Sequence, residues 1–301
     1  MDTDRISQLS SWDRWLGYLI LLIFAAYVWL VVGPEWGNDL AAVWFAGHFH
    51  ATGQDHLIYA APSTFFGGTP PEWEGLRSSL GLGESQIAFP FIYPPIWAGI
   101  AAPFAEAMPP HSLNRLVLAF HTVMMIGSVL FAERLARPAH MPFSIFVSWA
   151  VAVLCWTSIG QSLILLNQPT ITVNFLILAT FALLRRHPKV AGLTLGVATA
   201  IKLAPLAFAP LFLMARKPSA IAWMLGAIAA TTAASFALMG WPLHAAFLDQ
   251  LKLASKDTVW LQLNPSVRIL ILDIGSRLGF AEPIMLKENR GTVLCMPNWA
   301  G

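Results

Sequence analysis

Apolar residues fall in long unbroken runs, at 15–33, 91–108, 113–131, 142–166, 171–184, 190–214 and 220–239. They are apolar on all sides rather than striped, and about 20 such residues in a helix cross a bilayer core. Backbone polar groups in lipid must be satisfied internally, so the pattern predicts an all-α, polytopic transmembrane helical bundle. Short connectors, MPPHSLNR, ERLARPAH, RRHPK and ARKP, separate most runs. Two longer polar segments, 34–90 and 240–266, read as outer loops. The first holds six acidic side chains, Glu35, Asp39, Asp55, Glu72, Glu74 and Glu84, against one basic residue, Arg77. Basic-poor loops tend to lie outside the cytoplasm. Within it, residues 40–51 (LAAVWFAGHFHA) predict an interfacial helix with Trp44, Phe45 and Phe49 facing the membrane. The first run is too long for a signal peptide, and no small-x-small cleavage site follows it, so it reads as an anchored first helix. Residues 1–280 are thus expected to form one membrane-embedded module. The stretch 267–280 is amphipathic and ambiguous, and 281–301 is a polar tail.

Composition narrows the class. Charged residues make up 11 % and hydrophobic residues 56 % of the 301-residue chain, against about 25 % charged in soluble domains. Mean hydropathy is +0.62. A disordered chain, a coiled coil and an ordinary soluble enzyme are excluded. Formal net charge is +2, which leaves no electrostatic footprint for nucleic acid. Cys155 and Cys295 lie far apart, so neither a disulfide framework nor a zinc site is expected. His48 and His50 lack the partners a metal needs, and no nucleotide-binding fingerprint is present.

Charge also poses a topological problem. The connectors hold Arg134 and Arg137, then Arg185, Arg186 and Lys189, then Arg216 and Lys217. The positive-inside rule puts all of them in the cytoplasm. If 190–214 were one helix, RRHPK and ARKP would face opposite sides. A break near Lys202 and Pro205, giving two half-helices that meet at a polar apex, would remove the conflict.

Several residues are expensive where they stand. Lys202 lies inside an apolar run, where a charge costs about 2.5–3.5 kcal/mol. Its alternatives are snorkelling to an interface or functional and charge-paired use, for which an ammonium suits a phosphate. Asp39 suits either a helix N-cap or a general base taking a proton from a hydroxyl. Asn167 and Gln168 form either a polar turn or hydrogen-bond partners for sugar hydroxyls. Arg268 suits a phosphate contact or an interfacial anchor. Trp36, Trp44, Tyr59 and Trp73 offer stacking faces for sugar rings or an interfacial belt.

Taken in order, Gly37, Asp39, Phe45, Ala46, Gly47, Gly53 and Tyr59 follow the first span. Tyr93, Pro94 and Pro95 introduce a later run, Asn167–Gln168 precedes another, and Gly192, Gly196, Lys202 and Pro205 mark an A-x-K-x-x-P helix. Asn264, Ser266 and Arg268 close the series. Over residues 15–280 this set resembles glycosyltransferase family 87, polyprenyl-phosphate-mannose-dependent mannosyltransferases of the GT-C superfamily. The resemblance implies a GT-C-like bundle in the inner membrane, with its active site facing the periplasm or cell exterior. It implies a polyprenyl-phosphate-linked sugar donor, a lipid or glycan acceptor, and no cofactor or metal. Asp39 would be the catalytic base, and Lys202 with Arg268 would bind the donor phosphate. Gln168, Asn167, Tyr59, Tyr93 and Asn264 would bind substrate. The chain departs from the family at Asn167, where glycine is usual, and at Asn264-Pro265-Ser266, where Asn-Gln-Ser is usual. Family members continue with further spans, so the chain reads as C-terminally short. A polytopic transporter or lipid carrier is the competing class, and an assembly subunit a third.

Overall fold

The computed structural model describes residues 3–62, 68–256, 258–260, 284–288 and 291–296, with side chains placed at 11–62 and 68–254. Contacts divide the chain into two compact units. One comprises Met1–Gly37 and Asn114–Ala234, the other Asn38–Leu113 and Ser235–Gly301.

In the first unit, α1 (Thr3–Tyr27) runs into a π-turn at Val28–Val32. There Gly33 N–H donates to the Val28 carbonyl at 2.9 Å. Next come α5 (Pro110–Ala136), α6 (Phe143–Trp156), α7 (Ser158–Leu165), α8 (Thr170–Leu183) and α9 (Pro188–Ile201). A 3-10 turn (Ala204–Phe208), α10 (Pro210–Met214) and the first part of α11 (Pro218–Lys256) follow. The start of α6 is capped from α1. Asp13 accepts from Phe143 N at 2.8 Å, Ser144 N at 3.0 Å and Ser144 Oγ at 2.5 Å. A carboxylate there satisfies helix-end amides and suits the helix dipole. Phe24, Val28, Val32, Leu118, Met125, Ile164 and Ile171 form the main core.

The second unit holds α2 (Asn38–Ala51), α3 (Glu74–Ser79), α4 (Ile96–Ala107) and the later part of α11. Gly47 lets α2 close on α4, since a Cβ there would sit 2.8 Å from the Ala101 backbone. This packing buries Trp44, Phe45 and Phe49, at 3 %, 0 % and 2 % exposure. The expectation that they face the membrane is therefore not met. Their partners are protein: Trp44 Nε1 donates to the Met108 carbonyl at 2.9 Å, and Phe45 stacks on Trp73 at 5.3 Å.

Among the described residues, three helices are long and apolar enough to span: Ser11–Val32, Pro110–Ala136 and Pro218–Ala254. The pair α6 and α7, bent by 72°, passes the same test only when taken together, as a broken span or a re-entrant loop. The bend is capped by Thr157, whose Oγ1 accepts from Gly160 N at 3.1 Å. The other apolar runs form shorter helices than expected. The 12-residue α4 and the 14-residue α8 and α9 reach about 18–21 Å at 1.5 Å per residue, short of a bilayer core of about 30 Å. The body is helical as expected. Unexpected is a small antiparallel sheet of order β1-β3-β2, from β1 (Thr258–Trp260), β2 (Ile284–Glu288) and β3 (Gly291–Met296). Glu288 pairs with Gly291 and Val259 with Cys295.

Candidate functional site

The run 190–214 is broken where the sequence analysis placed a break. Helix α9 ends at Ile201, and Lys202 takes an extended conformation (φ −148°, ψ 131°) as its C-cap. Thr180 and Thr194 share a hydrogen bond of 2.8 Å across the α8–α9 hairpin. The hairpin returns Lys202 to the level of Thr170, where Nζ stands 3.4 Å from Thr170 Oγ1. Beyond the break the chain folds back. Phe212 of α10 shares a buried cluster with Leu195 of α9 and with Ala220 and Met224 of α11. Gly192 abuts the Ala220 carbonyl, and a Cβ on Gly196 would lie 2.7 Å from that of Met224. The starts of α9 and α11 are therefore level, so RRHPK and ARKP lie at one end of this unit and Lys202 at the other. The conflict raised by the charges is removed without flipping either connector.

Lys202, Gln168 and Asn167 thus gather at one end of the first unit. Lys202 is exposed, and Gln168 is half-buried. Asn167 is different. It is 2 % exposed and sits at φ 50°, a left-handed conformation that favours glycine and, among side-chain residues, asparagine. That accounts for asparagine where the resemblance expects glycine. Its amide faces inward: Oδ1 pairs with His121 Nδ1 at 2.7 Å, and Nδ2 donates to the Asn114 carbonyl and Oδ1, each at 2.9 Å. His121 and Asn114 are buried too, at 3 % and 6 %. Neither was singled out from sequence. The available signal was two polar residues seven apart, hence on one face, within an apolar helix.

In the second unit Asp39 lies half-buried in the first turn of α2, where the helix dipole favours a carboxylate. Tyr93 lies in its field. Burial first, and then the Asp39 charge, hold the Tyr93 phenol well above its ordinary pKa. Burial raises Tyr59 likewise. Both phenols stay neutral and able to donate. The Tyr59 hydroxyl donates to the Tyr93 carbonyl at 2.8 Å, and the Tyr59 ring packs on Phe91 and Phe247 at 5.6 and 5.9 Å. Asp39, Tyr59 and Tyr93 therefore belong to one unit. Trp73 and Trp44, offered as stacking faces, are buried and donate their indole N–H groups to backbone carbonyls. Arg268 and Asn264 lie outside the described residues. Among the described residues no group of side chains is set to hold a metal.

A helical, polytopic membrane protein with interrupted helices and polar groups at their breaks is the class these features define. Residues 91–289 match the model of glycosyltransferase family 87, and the chain belongs to that family. Glycosyltransferase activity is the general activity of that family. No curated protein and no solved structure matches the chain. The family match contains Tyr93, Asn167, Gln168 and Lys202 and begins after Asp39 and Tyr59.

Proposed function

We propose that the chain moves a hexosyl group, mannose by the family resemblance, from a polyprenyl-phosphate donor to a hydroxyl of a lipid or glycan acceptor. The bond from the anomeric carbon to the phosphate oxygen breaks, and a bond from that carbon to the acceptor oxygen forms. A single displacement inverts the anomeric centre. Asp39 takes the proton of the acceptor hydroxyl, a contribution worth about 10²–10⁴-fold. Lys202 stabilises the negative charge that builds on the departing phosphate. The positive-inside rule makes the end with the basic connectors cytoplasmic. Lys202 and the Asn167–Gln168 turn then face outward, in the inner membrane.

The observation that carries this reading is the break after Ile201. It presents an ammonium at the tip of a folded-back pair of short helices, with a hydroxyl 3.4 Å away as its contact among the described residues. A charge kept at such cost is expected to serve a ligand. A lipid phosphate is the ligand that family membership favours.

The test is transfer of labelled mannose from polyprenyl-phosphate-mannose into a native lipid extract, using membranes that contain this chain. Wild type should label a new lipid or glycan, and Asp39→Asn should lower transfer about 10²-fold or more with insertion intact. Equal transfer by both proteins would remove Asp39 from the chemistry. Movement of the donor across the membrane without a new glycosidic bond would favour a lipid carrier.

A further inference from the structure

We infer that Asn167, His121 and Asn114 form a clamp on the exit of the first span, with Asn167 as a positioning residue for the segment that leads to Asp39 rather than as a sugar contact. The inference rests on the proposed role of Asp39.

The direction of every bond in the clamp is forced. The Glu35 carbonyl can only accept, so the group 3.1 Å from it is the Asn114 amide nitrogen. Asn114 Oδ1 must then face Asn167, which presents its own nitrogen to that oxygen and to the Asn114 carbonyl. Both hydrogens of the Asn167 amide are thereby used. Its oxygen faces His121, whose Nδ1 must carry the proton. The chain of donors runs from His121 through Asn167 and Asn114 to Glu35, with no amide able to turn round without breaking two bonds. Asn167 therefore has no N–H left for a substrate hydroxyl.

The clamp closes on backbone. Gly37 is buried, and a Cβ on it would collide with Asn114 Oδ1 and lie 3.0 Å from Asn167 Cβ. The π-turn at Val28–Val32 and the bond from Glu35 N to the Val32 carbonyl, 2.8 Å, fix the same stretch from the other side. Asp39 follows Gly37 by two residues. Three elements of the first unit thus hold the loop at 33–37, the last backbone ahead of the proposed base: the π-turn, α5 and the α7–α8 turn. Misplacing a reacting group by about 1 Å can cost about 10²-fold in rate.

Asn167→Gly separates the two roles of this residue. Glycine adopts φ 50° readily, so the turn is kept while the hub of the clamp is lost. The full chain in lipid nanodiscs is compared with wild type by amide exchange at 33–39 and by steady-state transfer from polyprenyl-phosphate-mannose. The expected result is faster exchange at 33–39, kcat lower by about tenfold or more, and donor KM within about twofold. His121→Asn, whose amide nitrogen takes the place of Nδ1, should retain near wild-type values, and His121→Leu should behave like Asn167→Gly. The histidine pair keeps the test open if the turn variant does not fold. Faster exchange with kcat unchanged would overturn the inference, as would a fall in kcat with exchange unchanged. A rise in donor KM alone would make Asn167 a substrate contact and also overturn it. Asp39→Asn is measured alongside. Full activity there would sink the role of Asp39 and the catalytic half of the inference, while exchange at 33–39 separately decides whether the clamp exists.

Discussion

The interruption after Ile201 and the one at Gly240 both fall in apolar helices, yet their polar groups are treated in opposite ways. Gly240 takes φ 71°, ψ 167°, and splits α11 into 218–239 and 241–256. Pro242 follows and removes a backbone donor. The exposed groups are then stitched. His244 Nδ1 lies 2.7 Å from the Gly240 carbonyl, its Nε2 lies 2.9 Å from Ser235 Oγ, and its ring stacks on Phe236 at 4.0 Å. Lys202 after Ile201 is not stitched in this way among the described residues. Lys202 stays exposed, with Thr170 Oγ1 at 3.4 Å as its contact among the described residues. A break whose polar groups are consumed internally shapes a helix, whereas one that leaves a charge available suits a ligand.

The largest expected effect breaks the comparison at Lys202. Lys202→Met keeps the length and apolar stem and deletes the charge. Transfer should fall about 10²-fold or more, in the range found for removing one preorganised charge-stabilising group. Apparent thermal stability should hold or rise, because a charge that is costly in the membrane is gone. A Lys202→Met protein that transfers normally but melts early would make this break structural too, like the one at Gly240.

Gly240→Ala should do the reverse. An added Cβ meets only Pro242 Cδ, at an ordinary 3.6 Å, so crowding is not the cost. The cost is the backbone conformation, nearly exclusive to glycine, and amounts to about 1–3 kcal/mol. Thermal unfolding in detergent should move down by several degrees, while transfer per folded molecule stays within about twofold. Loss of transfer with stability unchanged would give the second break a part in the chemistry.

One side of this contrast was legible in the sequence, because Lys202 and Pro205 violate the apolar pattern. Lys202, Pro205 and the clash between basic connectors located the first break. The second break was not legible: 240–266 reads as an outer loop, whereas the helix resumes beyond Gly240 and runs to Lys256. Other features were hidden for physical reasons. Tyr93-Pro94-Pro95 cannot continue a helix backwards, since a residue before proline avoids the helical region. The run 91–108 therefore yields only Ile96–Ala107. Hydropathy does not distinguish lipid-facing from helix-facing aromatics, so the burial of Trp44, Phe45 and Phe49 depends on the close approach at Gly47. Asn114 and His121 carry the same signal as Lys202. Each is a polar group in a span, and such groups need partners. Their partners come from residues 35 and 167, and sequence separation of that size carries no local signal. The strands at Ile284–Glu288 and Gly291–Met296 lie in a stretch that reads as a polar tail, and the only local signal for them is the apolar and β-branched content of segments such as GTVLCM.

The smallest effect is expected at Ser235, and it sharpens the comparison most. A serine 2.9 Å from a histidine resembles a nucleophile and its base. The surroundings argue otherwise. The Gly240 carbonyl can only accept, so His244 Nδ1 carries the proton and Nε2 accepts from the Ser235 hydroxyl. Ser235 is 4 % exposed, which leaves no approach for a substrate. Its bond spans the break and serves as a brace. Ser235→Ala should therefore cost about 0.5–1.5 kcal/mol of stability, the net worth of one such hydrogen bond, and leave transfer within about twofold. The same substitution in the Gly240→Ala background should cost less than it does alone, because the brace acts on the bend that glycine permits. Additive losses would mean that Ser235 and His244 hold the helix independently of the bend, and a tenfold loss of transfer with stability unchanged would move the pair from bracing to chemistry.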